Sequence, residues 1–220
     1  MASHPTSPSL WSTLDDGRAR AATLPLLAMG VVVVAALGAL ALSLFRGEET
    51  TTTDFDTAVP SVGGTDLPQL PDEGADPAIG QVAPDLKGED LAGDTVVAPT
   101  TGKPTVILFV AHWCPHCRRE VPVVQEWLDA GKKPADVDLI TVATAMNASR
   151  PNYPPSKWLT EEGWSSPIIA DAGNQAADAY GLSAYPFWVA IGADGRVLHR
   201  ATGELTTPQM TTLFRKAKTG

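Results

Sequence analysis

No charged residue lies between Leu24 and Phe45, where the chain reads LPLLAMGVVVVAALGALALSLF. A helix of these 22 residues is about 33 Å long at ~1.5 Å per residue, enough to cross a hydrocarbon core of ~30 Å. Its apolar side chains face every direction, as lipid requires. A cleaved signal peptide competes, because Ala39-Leu40-Ala41 resembles a cleavage site. The run is longer than the ~7–15 residues of a signal core, so the expectation is an uncleaved transmembrane signal anchor over residues 24–45. Arg18 and Arg20 precede it, and Arg46 is the only base after it until Lys87. This bias places 1–23 in the cytoplasm and the rest of the chain outside the cell membrane.

The chain of 220 residues carries a net charge of −9, unevenly spread. Residues 47–79 hold eight acids and no Lys or Arg, while 80–220 hold 15 acids against 13 bases. A nucleic-acid binder needs a basic footprint, so that class is excluded. The stretch 46–79 also carries Thr50–Thr53, scattered prolines and Gly63-Gly64. Such a composition leaves little to bury, and it reads as a disordered acidic linker before a domain at 80–220.

Beyond Gly80, strand and helix patterns alternate. Thr105–Val110 (TVILFV) is a continuous apolar run, suited to a strand covered on both faces. A helix is expected from Pro115 to about Asp129, kinked at Pro122. Asp138–Ala143 reads as a second buried strand, with short helices at Ser156–Glu162 and Asn174–Tyr180. Phe187–Ile191 and Arg196–Arg200 form a hairpin around Asp194-Gly195, and Thr207-Pro208 opens a last helix through about Lys216. Trp158, Trp164 and Trp188 read as packing residues and His199 as an exposed strand residue. A β-α-β half followed by a β-β-α half predicts an α/β fold, a central mixed sheet flanked by helices.

Directly after the first buried strand stands Ala111-His112-Trp113-Cys114-Pro115-His116-Cys117. A cysteine at a helix N-terminus sees unpaired N–H groups and the positive end of the helix dipole, and both favour the nucleophilic thiolate. A second cysteine one turn deeper can close a disulfide. Zinc binding with His112 or His116 is a competing reading, but the chain has only these two cysteines, and a tetrahedral site lacks its second pair. A purely structural bridge this short constrains little of the unfolded chain.

Trp-Cys-Pro-His-Cys after Phe-Val-Ala-His, followed by Arg-Arg-Glu-Val-Pro, resembles the thioredoxin superfamily. The whole plan is similar to its membrane-anchored extracytoplasmic TlpA/ResA-like branch. Gly80-Gln81-Val82-Ala83-Pro84-Asp85-Leu86 and Ala184-Tyr185-Pro186-Phe187-Trp188 match the branch's domain entry and cis-proline strand. The Cys-Pro-His-Cys motif itself is of the DsbA type. The resemblance implies a thioredoxin-like fold and thiol-disulfide oxidoreductase activity on exported client proteins through transient mixed disulfides, with an unnamed membrane redox partner and no cofactor. It implies that Cys114 attacks, Cys117 resolves, and His116 supports the Cys114 thiolate. Pro186 would be cis and face the pair, with Trp113 and Tyr185 binding substrate. Glu120 occupies the place of a glutamate that assists proton transfer, and an ordinary exposed helix glutamate is the alternative.

One departure is plain. Thioredoxin keeps a buried aspartate six residues before the first cysteine, and here that residue is Leu108. A Pro-His pair between the cysteines favours an oxidising direction; the alternatives are a reductant in cytochrome c maturation, a non-catalytic holdase and a copper carrier. Copper carriers of this fold use a Cys-x-x-x-Cys spacing, which is absent here. The loop Arg150–Pro155 either borders the site or is a plain surface loop.

Overall fold

A computed structural model describes residues 54–219. The expected cytoplasmic tail and membrane anchor lie outside the described residues, as does the first part of the expected linker. Among the described residues no helix is long and apolar enough to cross a membrane.

A 3-10 turn at Phe55–Thr57 opens the described chain. Strands β1 (Ser61–Gly63), β2 (Asp85–Glu89) and β3 (Thr95–Ala98) form a small antiparallel sheet. Then come β4 (Thr105–Val110), α1 (Pro115–Asp129), β5 (Asp138–Thr144), α2 (Pro155–Glu161), β6 (Ile168–Asp171) and α3 (Gln175–Ala179). The chain closes with β7 (Phe187–Ile191), β8 (Val197–Thr202) and α4 (Thr207–Thr219). The main sheet runs β6-β5-β4-β7-β8, with β4 parallel to β5 and antiparallel to β7. This is the thioredoxin-like mixed sheet that the element order predicts.

All six residues of β4 are buried because the strand is central and covered twice. Side chains alternate across a pleat, so one strand feeds two cores. Val106, Leu108 and Val110 join Trp188 of β7 in a layer closed by α1 and α4, through Cys117, Val121, Val124, Trp127, Leu213 and Phe214. Ile107 and Phe109 face the other way, onto Phe187, Val189, Leu86, Val96 and Tyr180. Leu108 pairs with Trp188 in register and is fully buried, so the layer under the cysteines is apolar where thioredoxin keeps a carboxylate. Trp158 and Trp188 are buried packing residues and Trp164 packs against the same layer, as expected; His199 is half-buried, not exposed. Helix α1 continues through Pro122.

The linker expectation is corrected from Asp54 onward. Residues 54–79 are part of the folded unit. Strand β1 pairs antiparallel with Asp85–Lys87 of β2, Ser61 opposite Lys87 and Gly63 opposite Asp85. Leu67 is buried, and its N–H donates to Ala179 O at 2.8 Å. Acid content misleads here because two of the carboxylates, Asp56 and Asp76, have partners far along the chain. Asp56 accepts from the N–H and hydroxyl of Ser156, and Asp76 pairs with the buried Arg200.

Candidate active site

The motif follows the C-terminal end of the central strand β4, and α1 starts there. Cys114 is the N-cap of α1 and Pro115 its first residue, where a missing N–H costs nothing. Cys114 is 6% exposed and Cys117 fully buried, both as free thiols. The Ala111 N–H reaches Cys117 Sγ at 3.4 Å. Burial pushes the Cys117 thiol far above its ordinary pKa; the Ala111 N–H opposes this, and Cys114 and Glu120 add to it. Of the two sulphur-bearing side chains only Cys114 reaches the surface.

Across from the pair runs the segment before β7. The Tyr185–Pro186 bond is cis, as the resemblance implies, and Tyr185 O lies 3.9 Å from Cys114 Sγ. The Tyr185 ring meets Trp113 edge-on with centroids 6.0 Å apart. Trp113 Nε1–H donates to Ala145 O at 2.8 Å, which fixes the indole beside Cys114. Tyr185 and Trp113 thus lie beside Cys114, with the buried Pro186 next in the chain after Tyr185.

Glu120 is not an exposed helix glutamate. It is 2% exposed, on the same helix face as Cys117, Val121 and Val124. Its Oε1 accepts the Leu205 N–H at 2.9 Å. Burial raises its pKa to about 7, against the opposing Leu205 N–H and with help from the charge of Glu204. A carboxyl that titrates at neutrality, next to a thiol that resists ionising, is suited to carry that thiol's proton.

His116 is exposed on the first turn of α1 and faces Glu204. Its Nδ1 lies 2.7 Å from Glu204 Oε1, and the same carboxylate binds Arg119 at 2.6 Å. The described hydrogen bonds take the imidazole to Glu204 and not to Cys114.

His112 is the residue that motif reading undervalued. It is 1% exposed, and both ring nitrogens are used. Nδ1–H donates to Pro151 O at 2.7 Å, and Nε2 accepts the Asn147 N–H at 3.1 Å. The Asn152 side chain returns a bond to His112 O at 3.2 Å. Burial holds the imidazole pKa below its ordinary value, with Arg150 acting in the same sense and the Pro151 bond and Asp56 opposing. A neutral His112 therefore pins the loop at 147–152 against the motif, and neither nitrogen is left for a metal. That loop borders the site: the Arg150 guanidinium sits 4.6 Å above the Trp113 ring. Its partners lie 35 to 40 residues away, so nothing local in the sequence announced this role.

The Redoxin family model matches residues 78–214. The chain belongs to the Redoxin family. Its relatives include the thiol-disulfide oxidoreductase ResA of Halalkalibacterium halodurans, 30% identical over 128 residues, which cover 58% of this chain and 70% of that one. ResA of Geobacillus thermodenitrificans is 30% identical over 130 residues, covering 59% and 72%. Among solved structures, StoA of Bacillus subtilis superposes with a TM-score of 0.52 at 23% identity, over 62% of this chain and 98% of that one; at that identity it speaks for the fold. The TlpA/ResA-like placement stands, and with it thiol-disulfide oxidoreductase activity. Cys114 and Cys117 are the only cysteines in the sequence.

Proposed function

We propose that this domain works outside the membrane as a dithiol reductant of exported proteins, tethered by residues 24–45. The supporting observation is the buried Cys117 thiol beside the neutral-titrating Glu120. Cys114 thiolate attacks a client disulfide, forming the mixed disulfide and expelling one client thiolate. Glu120 takes the Cys117 proton. Cys117 sulphur then attacks Cys114 Sγ, closing the protein disulfide and releasing the second client thiolate. Two electrons pass from the protein to the client, and the protein is recharged by a membrane redox partner.

The reverse direction asks more of the same geometry. In disulfide donation Cys117 is the leaving group, and a thiol with a raised pKa leaves slowly; as an attacking group it is intrinsically the stronger nucleophile. A disulfide becomes oxidising when its reduced form gains thiolate stabilisation. The buried Cys117 offers none, and the described partners of His116, through Nδ1, are Glu204 and Arg119. Disulfide donation remains the second reading, favoured by Pro115-His116 between the cysteines.

The potential of the pair decides between them. Equilibration with glutathione is expected to give a value below about −220 mV, toward thioredoxin at ~−270 mV. A value above about −180 mV, the range of protein disulfide isomerase and DsbA, restores the donor reading. In intact cells a membrane-impermeant maleimide should label Cys114, which is free to react only in the dithiol form. Labelling only by a permeant maleimide would place the domain inside and overturn the location.

A further inference from the structure

The chain carries a net charge of −9, yet the rim of its active site is basic. Helix α1 presents His116, Arg118 and Arg119 to solvent within its first turns, and the loop pinned by His112 adds Arg150. Glu204 pairs with Arg119, and its Oε1 lies 2.7 Å from His116 Nδ1. Asp56, whose charge acts on His112, is committed to Ser156. Among the described residues, Arg118 and Arg150 have no ion pair. Arg118 lies one helical turn behind Cys114, on the same face of α1.

Arg150 is held in position. Its N–H donates to Asn147 O at 3.0 Å, closing a turn whose two ends are tied to His112. The guanidinium carbon then sits over the ring of Trp113, the residue immediately before Cys114. Stacking holds the plane of an arginine and leaves the edge of its fork free, and that edge matches a carboxylate.

We propose that this rim selects clients whose reactive sulphurs are flanked by acidic side chains. Arg150 is the specificity-determining residue and Arg118 supplies the second positive charge. The inference rests on the exchange chemistry of Cys114 and not on its direction, because forward and reverse exchange share one transition state. An acidic flank approaches against the overall negative charge and is captured locally at the rim. Such a field acts on association rate and weakens with salt.

The test uses the full-length protein in detergent and short disulfide peptides that differ only in Asp, Gln or Lys flanks. Each rate is divided by the rate of the same peptide with dithiothreitol, which removes the effect of the flanks on the peptide's own sulphurs. The normalised Asp-to-Lys ratio is expected to reach about tenfold at low ionic strength and to fall about threefold or more in high salt. Arg150→Gln should lower the ratio, Arg150→Lys should keep most of it, and Arg150→Glu should invert it. If Arg150 only orders the loop, Gln and Lys behave alike, and the proposal is overturned. Equal rates for the three peptides in the wild type overturn it as well. The exchange chemistry is checked separately with an uncharged aromatic disulfide, whose failure to react with wild-type protein would strike at Cys114 itself.

Discussion

Glu120→Gln is expected to separate the two half-reactions of the catalytic cycle. Glutamine still accepts the Leu205 N–H but cannot take a proton from Cys117. Attack by Cys114 on a client should proceed, and resolution should slow by about 10²-fold or more, the usual range for losing a general base. Acid quenching followed by alkylation should then show Cys114 mixed disulfides accumulating. In the wild type the resolution rate should rise with pH through an inflection near 7, where Glu120 titrates. The variant should lose that inflection. Unchanged resolution in Glu120→Gln would assign the proton to solvent.

The same substitution should stabilise the fold at alkaline pH. The Glu120 pKa is about 7 in the folded protein against an ordinary 4.5. Between these values the folded state holds a proton that the unfolded state has lost, so stability falls as pH rises through this window. The full difference corresponds to about 3 kcal/mol. Glutamine removes this loss. Denaturant midpoints of variant and wild type should lie close together near pH 5, and the variant should be the more stable at pH 8. A proton carrier in a buried site is thus expected to cost stability, and its removal to trade rate for stability. Equal pH dependence in the two proteins would show that Glu120 ionises as an exposed carboxylate does.

Periodicity made the centre of the fold legible. TVILFV could only be a strand covered on both faces, and α1 and β7 follow the predicted bounds. The burial of Glu120 was also readable, since 117, 120, 121 and 124 share one helix face. Strand β6, Ile168–Asp171, is only four residues long and sits between a Ser-Ser-Pro run and a turn, so no pattern had room to develop. The role of His112 and the side taken by His116 depend on residues 35 to 88 positions away. Side-chain pairing over such distances leaves no periodic trace in the chain.

The acidic stretch illustrates this most sharply, and Arg200 is where it can be tested. Its side chain is fully buried, with Nε 3.0 Å from Asp76 Oδ2 and Nη1 donating to Pro68 O at 2.9 Å and Tyr180 O at 2.8 Å. Asp76 lies 124 residues earlier, in the segment whose composition reads as solvated linker. Arg200→Leu would leave a half-enclosed carboxylate and two carbonyls without their donor. Removing one partner of a buried pair typically costs about 3–5 kcal/mol. Limited proteolysis should then cut within residues 58–79, which the wild type protects. The effect should depend on pH in a defined sense. Burial works against the ionised Asp76, but the Arg200 bonds, the Ala78 N–H and the neighbouring positive charge outweigh it and hold the pKa below its ordinary 3.8. That stabilisation is present above the ordinary value and is lost as pH falls through the folded one. The gap between wild type and Arg200→Leu should therefore be widest near neutrality and narrow below about pH 4. A pH-independent loss under about 1 kcal/mol would mean that the apolar contacts of Leu67 and Leu70 hold the segment without the ion pair.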